Sequence, residues 1–269
     1  MVMLVSRWLK RRAWVLLGDG AYACMDLAKT CIKHGVTLVS RLRLDAQLFE
    51  FPDIVPAGKR GRKPVKGKRI NLKTLLAYLA QPWQSITVNW YGSEQKIIEC
   101  LTFVCLWYHA GEPPISLRVV LVKTPDGKNK AEVFFSTDVK NTPFQIIEWF
   151  VLRWNIEVTF QESRSNLGVE TQRQWSDKAI QRSTPLLMAM YSILTLIALK
   201  MNTIKALVVQ ETTSWYDKQG ELTFADIIVI VRRDIWTKRY LSKSANQDEF
   251  EKFGDQEMER LIYQLSLAA

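Results

Sequence analysis

The chain has 269 residues, 48% of them hydrophobic and 24% charged, enough for one large core or a core with a substantial insertion, and this excludes wholesale disorder. Thirty-seven Lys and Arg against 27 acids leave a formal charge of +10, which favours a polyanionic partner, either nucleic acid or an anionic membrane surface. Only two histidines (His34 and His109) and four cysteines without zinc-knuckle spacing leave carboxylates to carry any chemistry.

Met1 to Lys10 has no long apolar run ending at a small-residue cleavage site, so export is not expected, and reduced, buried thiols suit a cytoplasmic protein. Ala13–Gly18 is a short apolar run ending at Asp19-Gly20, a buried strand followed by a turn. Cys24–His34 has helical spacing, Gly35 is placed to stop it, and Val36–Leu42 is a second β-branched run. Strand, helix and strand with short joints predict a βαβ unit with parallel pairing.

Composition changes near residue 45. Lys59–Arg69 (KRGRKPVKGKR) carries seven positive charges and no acid, with Gly61, Pro64 and Gly67 interrupting any helix. It is expected to be a solvated loop, either a solubilising face or a phosphate-binding device. Ser85–Tyr91, Lys96–His109, Ile115–Lys123 and Ala131–Ser136 are strand-like. Turn residues at Gly92-Ser93, Gly111–Pro114 and Pro125–Gly127 separate them, which predicts an antiparallel sheet module. Trp83, Trp90 and Trp107 fall within it, with sheet packing as the expected role and base stacking at a flipped nucleotide as the alternative, and Asp138 closes its last strand as a turn residue.

Thr142-Pro143 with Gln145 forms a helix start with a capping box, and one helix is expected to run to Leu167, where Gly168 stops it. At about 100° per residue, Phe150, Arg153, Glu157 and Arg164 then fall within about 60° of one another, setting a carboxylate between two guanidinium groups. Such a stripe suits a metal ion on DNA, with Glu157 on the metal and the arginines on flanking phosphates. The plain alternative is an Arg-Glu pair at i, i+4 on an amphipathic helix. A second helix from about Asp177 to Met201 has its longest apolar stretch at Leu186–Leu199, shorter than the roughly 18 residues of a membrane span, and is expected to be a buried core helix. The remaining residues read as helices.

The stretch FVLRWNIEVTFQESR resembles the signature around the catalytic glutamate of DDE transposases related to the fourth-numbered bacterial insertion sequence. That signature runs tyrosine, two residues, arginine, three residues, glutamate, six residues, lysine. Arg153 and Glu157 match, whereas Phe150 stands at the tyrosine position and Arg164 at the lysine position. Phe160, Leu167-Gly168, the Ser136-Thr137-Asp138 run and Gly18-Asp19-Gly20-Ala21-Tyr22 extend the likeness, and the GRKP stretch is similar to the subgroup of the seven-hundred-and-first element. The likeness covers residues 13 to about 200.

The resemblance implies an α/β fold, an RNase H-like catalytic core formed by residues 1–45 and 130–205 with its first strands missing. A β-rich insertion with the basic loop occupies 46–129, and a helical C-terminal region 206–269. The 138 residues between Asp19 and Glu157 (157 − 19) are too long for a plain loop and fit such an insertion. Asp19 and Glu157 would be the second and third catalytic acids and the ligands of a two-Mg²⁺ site, with Arg153 and Arg164 on DNA. The implied partners are transposon ends, target DNA and a second protomer in a synaptic complex, with no membrane, and the protein would associate with the bacterial nucleoid when bound to DNA. Residues 1–18 contain no Asp or Glu for the first acid. The expectation is therefore a truncated or frameshifted copy that does not cleave DNA alone. The alternatives are a silent fragment that binds DNA or an intact transposase, and an RNase H-like nuclease unrelated to transposition.

Overall fold

The computed structural model describes residues 1–10, 12–54, 63–77, 82–90, 95–123, 131–171, 173–200, 223–242 and 255–267. They belong to two compact units, Met1–Asn155 and Ile156–Ala269.

The first unit is built on one sheet. Helix α1 (Val2–Leu9) precedes β1 (Val15–Gly18), α2 (Met25–Lys33) and β2 (Thr37–Arg41). The predicted βαβ unit is present: β1 and β2 pair in parallel, Val15 opposite Thr37 and Gly18 opposite Ser40, and α2 gives way to Gly35 at φ +67°. Short strands β3 (Leu48–Phe49) and β4 (Arg69–Ile70) flank the basic segment, and helix α3 (Leu72–Ala77) follows. The strands β5 (Gln84–Asn89), β6 (Gln95–Trp107), β7 (Ile115–Lys123) and β8 (Glu132–Ser136) match the four strand-like runs. The Gly111–Pro114 turn lies between β6 and β7, whereas Gly92-Ser93, Pro125–Gly127 and Lys59–Arg62 fall outside the described residues.

These strands join the βαβ unit in one continuous sheet of order β1-β2-β8-β7-β6-β3-β4, with β5 also on β6. All pairings except β1–β2 are antiparallel. Because strand side chains alternate between faces, neighbouring residues feed two different cores. Leu38, Leu117, Val119, Leu121 and Phe135 join Val2 of α1, Met25, Ala28 and Cys31 of α2 and Leu72 of α3. Their neighbours Val39, Val120, Val122 and Phe134 face the other way and join Ile146, Ile147 and Phe150 of α4 (Pro143–Leu152). The sheet is therefore covered on both faces, which explains why its central strands read as continuous apolar runs. Thr142 caps α4 through the expected box, receiving Gln145 N–H while the Gln145 side chain accepts Thr142 N–H.

The expected single helix from Thr142 to Leu167 is two helices. After α4, the N–H groups of Arg153 and Trp154 bond back three residues, to Phe150 and Val151, and the chain restarts as α5 (Asn155–Leu167). This tighter turn breaks the 100° progression, and Phe150 is buried against Phe134, with ring centroids 4.5 Å apart. The four-residue exposed stripe therefore does not form; Glu157 and Arg164, seven residues apart on α5, still share one side of that helix.

In the second unit, Gly168 ends α5 at φ +73° as expected. Helix α6 (Asp177–Lys200) is followed by α7 (Phe224–Ser242) and α8 (Asp255–Leu267), the helices expected near the C-terminus. Tyr191 of α6 stacks on Phe224 of α7 with centroids 4.4 Å apart. The expectation of a buried core helix at α6 is not met. Ala198 is its one fully buried residue, and Leu186, Met190, Ile193 and Leu196 are exposed, because an apolar run by itself does not say which of its faces finds a partner. By length and composition alone α6 is long and apolar enough to cross a membrane. The whole is a mixed α/β protein with a mostly antiparallel sheet and a helical region, as an RNase H-like core with added elements requires.

Candidate active site

Asp19 stands one residue beyond the carboxyl end of β1, with an exposed side chain. Its backbone is pinned: the Ser40 hydroxyl of β2 and Tyr22 N–H both donate to its carbonyl, each at 2.8 Å, and Gly20 N–H donates to its carboxylate at 2.7 Å. Gly18 packs closely here: a Cβ would sit 3.0 Å from the Tyr22 Cβ, so Tyr22 would have to give by a few tenths of an ångström. The apolar strand, the glycine and the 3-10 turn at Gly20–Tyr22 together hold one exposed carboxylate just beyond the end of β1.

Beside it opens a cavity of about 840 Å³ lined by Asp19, Arg41, Arg43, Asp45, Lys73 and Glu132, among others. Arg41 pairs with Glu132 at 3.0 Å, and Arg43 meets both Asp45 oxygens at 2.8 and 2.9 Å. The Arg43 guanidinium accordingly holds the Asp45 carboxyl below its usual range. Arg41, Arg43 and Lys73 are the cations beside Asp19 that the sequence reading misses. The parallel pairing of β1 with β2 was the available signal, since it carries the residue after Ser40 to the strand end that bears Asp19.

Arg153, in the turn between α4 and α5, lies over the Phe150 ring with its guanidinium carbon 5.6 Å from the centroid. Glu157 is half-buried in the first turn of α5, where the helix dipole favours an anion. Arg164, in the last turn, donates from two nitrogens to Glu170 Oε2 at 2.7 Å; the pair raises the guanidinium pKa and lowers that of Glu170. Asp19 and Arg153 belong to the first unit, Glu157 and Arg164 to the second. Asp138 accepts Lys140 N–H and is a turn residue as expected. Trp107 is buried beside Phe135, while Trp83 and Trp90 carry Lys123 and Lys96 on their rings at 4.2 and 4.9 Å.

Carboxylate oxygens at Asp19 and Glu157 are donors of the kind Mg²⁺ prefers. Among the described residues no three His, Cys, Asp or Glu side chains gather into a metal-holding group. Two protein carboxylates with retained waters are compatible with Mg²⁺, which rarely relies on an all-protein cage.

A family model described as Transposase DDE domain matches residues 4–190, well over half of the chain. No curated relative matches it. The matched span runs from α1 into α6 and so takes in the sheet, the Asp19 strand end and the Glu157 helix, and the chain belongs to the Transposase DDE domain family.

Proposed function

We propose that the chain is the catalytic region of a cut-and-paste DNA transposase of the group related to the fourth-numbered insertion sequence, and that Asp19 and Glu157 share one magnesium site. The observation that carries this reading is the pinned, exposed Asp19 carboxylate at a sheet end within the matched transposase domain. A pair of divalent cations held by Asp19 and Glu157 would supply polarisation of the scissile phosphodiester and of the attacking water or 3′-hydroxyl. Asp19 contributes oxygen from a fixed backbone. Glu157 contributes oxygen from the first turn of α5. Arg153 and Arg164 hold the flanking phosphates of transposon end and target, Arg164 exchanging Glu170 for phosphate. Two protomers bring two ends together.

Residues 1–18 hold no acid that could serve as a first catalytic Asp, which supports the further reading that these 269 residues do not cleave DNA by themselves. Manganese binding, followed by paramagnetic resonance, tests the shared site without requiring activity. Asp19→Asn and Glu157→Gln should each weaken binding at least about tenfold. Unchanged binding by Glu157→Gln would show that the two carboxylates hold no common ion. Magnesium-dependent nicking of end sequences by the purified chain, lost on Glu157→Gln, would overturn the reading of inactivity.

A further inference from the structure

Trp175 is fully exposed, at 100%. Tryptophan is among the residues that folding most strongly removes from water, so an indole left wholly in solvent has no structural use on its own surface. It is nevertheless held in place from both sides. Ser176, the next residue, caps α6: its hydroxyl accepts Ala179 N–H at 3.2 Å, and its carbonyl accepts the N–H groups of Ala179 and Ile180. Gln174, the residue before, is tied down by the Ser183 hydroxyl, which donates to its Oε1 at 2.7 Å. The indole is thus presented between two anchored neighbours.

Its charged neighbours along the chain are mostly cationic. Arg173, Lys178 and Arg182 are all exposed, Lys178 and Arg182 one turn apart on α6, with Asp177 as the one acid between Arg173 and Arg182. A projecting aromatic face flanked by guanidinium and ammonium groups fits an unpaired nucleobase with its adjoining phosphates: the base stacks on the ring and the cations neutralise the backbone. Internal bases of a duplex have both faces covered by their neighbours, so only a single strand or an opened end offers a free face. We infer that Trp175, with Arg173, Lys178 and Arg182, forms a stacking site for single-stranded DNA. This rests on the reading of the chain as a DNA-acting protein.

Fluorescence anisotropy of the full chain with labelled oligothymidylate of about 15 nucleotides, and with a labelled closed duplex minicircle that has neither ends nor unpaired bases, tests the site. Trp175→Ala should weaken binding to the single strand about 10- to 100-fold, Trp175→Phe should retain most of it, and binding to the closed duplex should change less than about twofold. Replacing Arg173, Lys178 and Arg182 together by Ala should flatten the single-strand salt slope by about 2. The melting temperature of Trp175→Ala should be unaltered, since the side chain touches nothing. Equal single-strand affinity for wild type and Trp175→Ala would overturn the site, as would equal losses on both DNAs. A change of sedimentation by Trp175→Ala without a change in DNA affinity would assign the indole to a protein contact and overturn it too. Failure of the wild-type chain to bind either DNA would instead sink the DNA reading beneath it.

Discussion

Cys31 and Cys105 have no exposed surface, and burial pushes their thiols up to about 11 and about 12. An unfolded chain ionises these thiols near the ordinary value of 9.0, so between pH 9 and the raised values the unfolded state holds fewer protons than the folded one. Stability is then fully present below about pH 9 and falls above it, by about 1.4 kcal/mol per pH unit for each thiol. Denaturant midpoints measured between pH 8 and 10.5 check this, and Cys105→Ala should flatten the alkaline limb. Cys24 is exposed and should take up a thiol reagent in the native state, whereas Cys31, Cys100 and Cys105 should react only after unfolding. Of the site residues, Asp19 is legible in sequence because an apolar strand ending in Gly-Asp-Gly is a local pattern. Arg41 is only partly so: the parallel pairing of β1 with β2 is predictable, but the register that sets Ser40 opposite Gly18, and so Arg41 beside Asp19, is not.

Among the elements, β6, β7 and β8 are legible because each is a long β-branched or aromatic run bounded by turn residues, and α4 because Thr142 and Gln145 announce its start. Thr142→Ala should remove the half of the box in which the Thr142 hydroxyl accepts Gln145 N–H, leaving the bond from its backbone N–H to Gln145, and lower stability by about 1 kcal/mol, read from the thermal midpoint. Phe134→Ala, at the contact between sheet and α4, should cost about 3–5 kcal/mol. The break at Arg153-Trp154 is not legible, since neither residue is a helix breaker and the tightening comes from backbone bonds to Phe150 and Val151. Helix α1 is signalled by Val2, Val5 and Leu9 at inward-facing spacing, a faint pattern because only three positions of an eight-residue helix carry it. Of the basic segment, the described residues 63–69 are anchored at Lys66 and Gly67. Lys66 lies between Phe49 and Tyr108, 3.8 and 4.2 Å from their ring centres, and Gly67 passes so close to Phe51 that a Cβ would come within 2.5 Å of its carbonyl oxygen. Lys63, Lys68 and Arg69 remain exposed around that anchor.

For the whole molecule, the charge of +10 makes a prediction independent of any single site. A duplex contact neutralising about six phosphates should lose roughly a thousandfold in affinity between about 50 and 200 mM salt. A binding curve flat across that range would show that the charge is not directed at the DNA backbone. The sheet contributes a separate consequence. Among the described residues β1 is its outermost strand, four residues long, and Asp19 follows its last residue. Hydrogen-bonded strands lie about 4.8 Å apart, so a strand added along the outer side of β1 would bring its own end to within one ladder spacing of Asp19. Side chains alternate along a strand, and a slip of one position would turn the arriving residue to the opposite face. A strand docked there would therefore have both the distance of its end from Asp19 and the face its residues present set by the ladder.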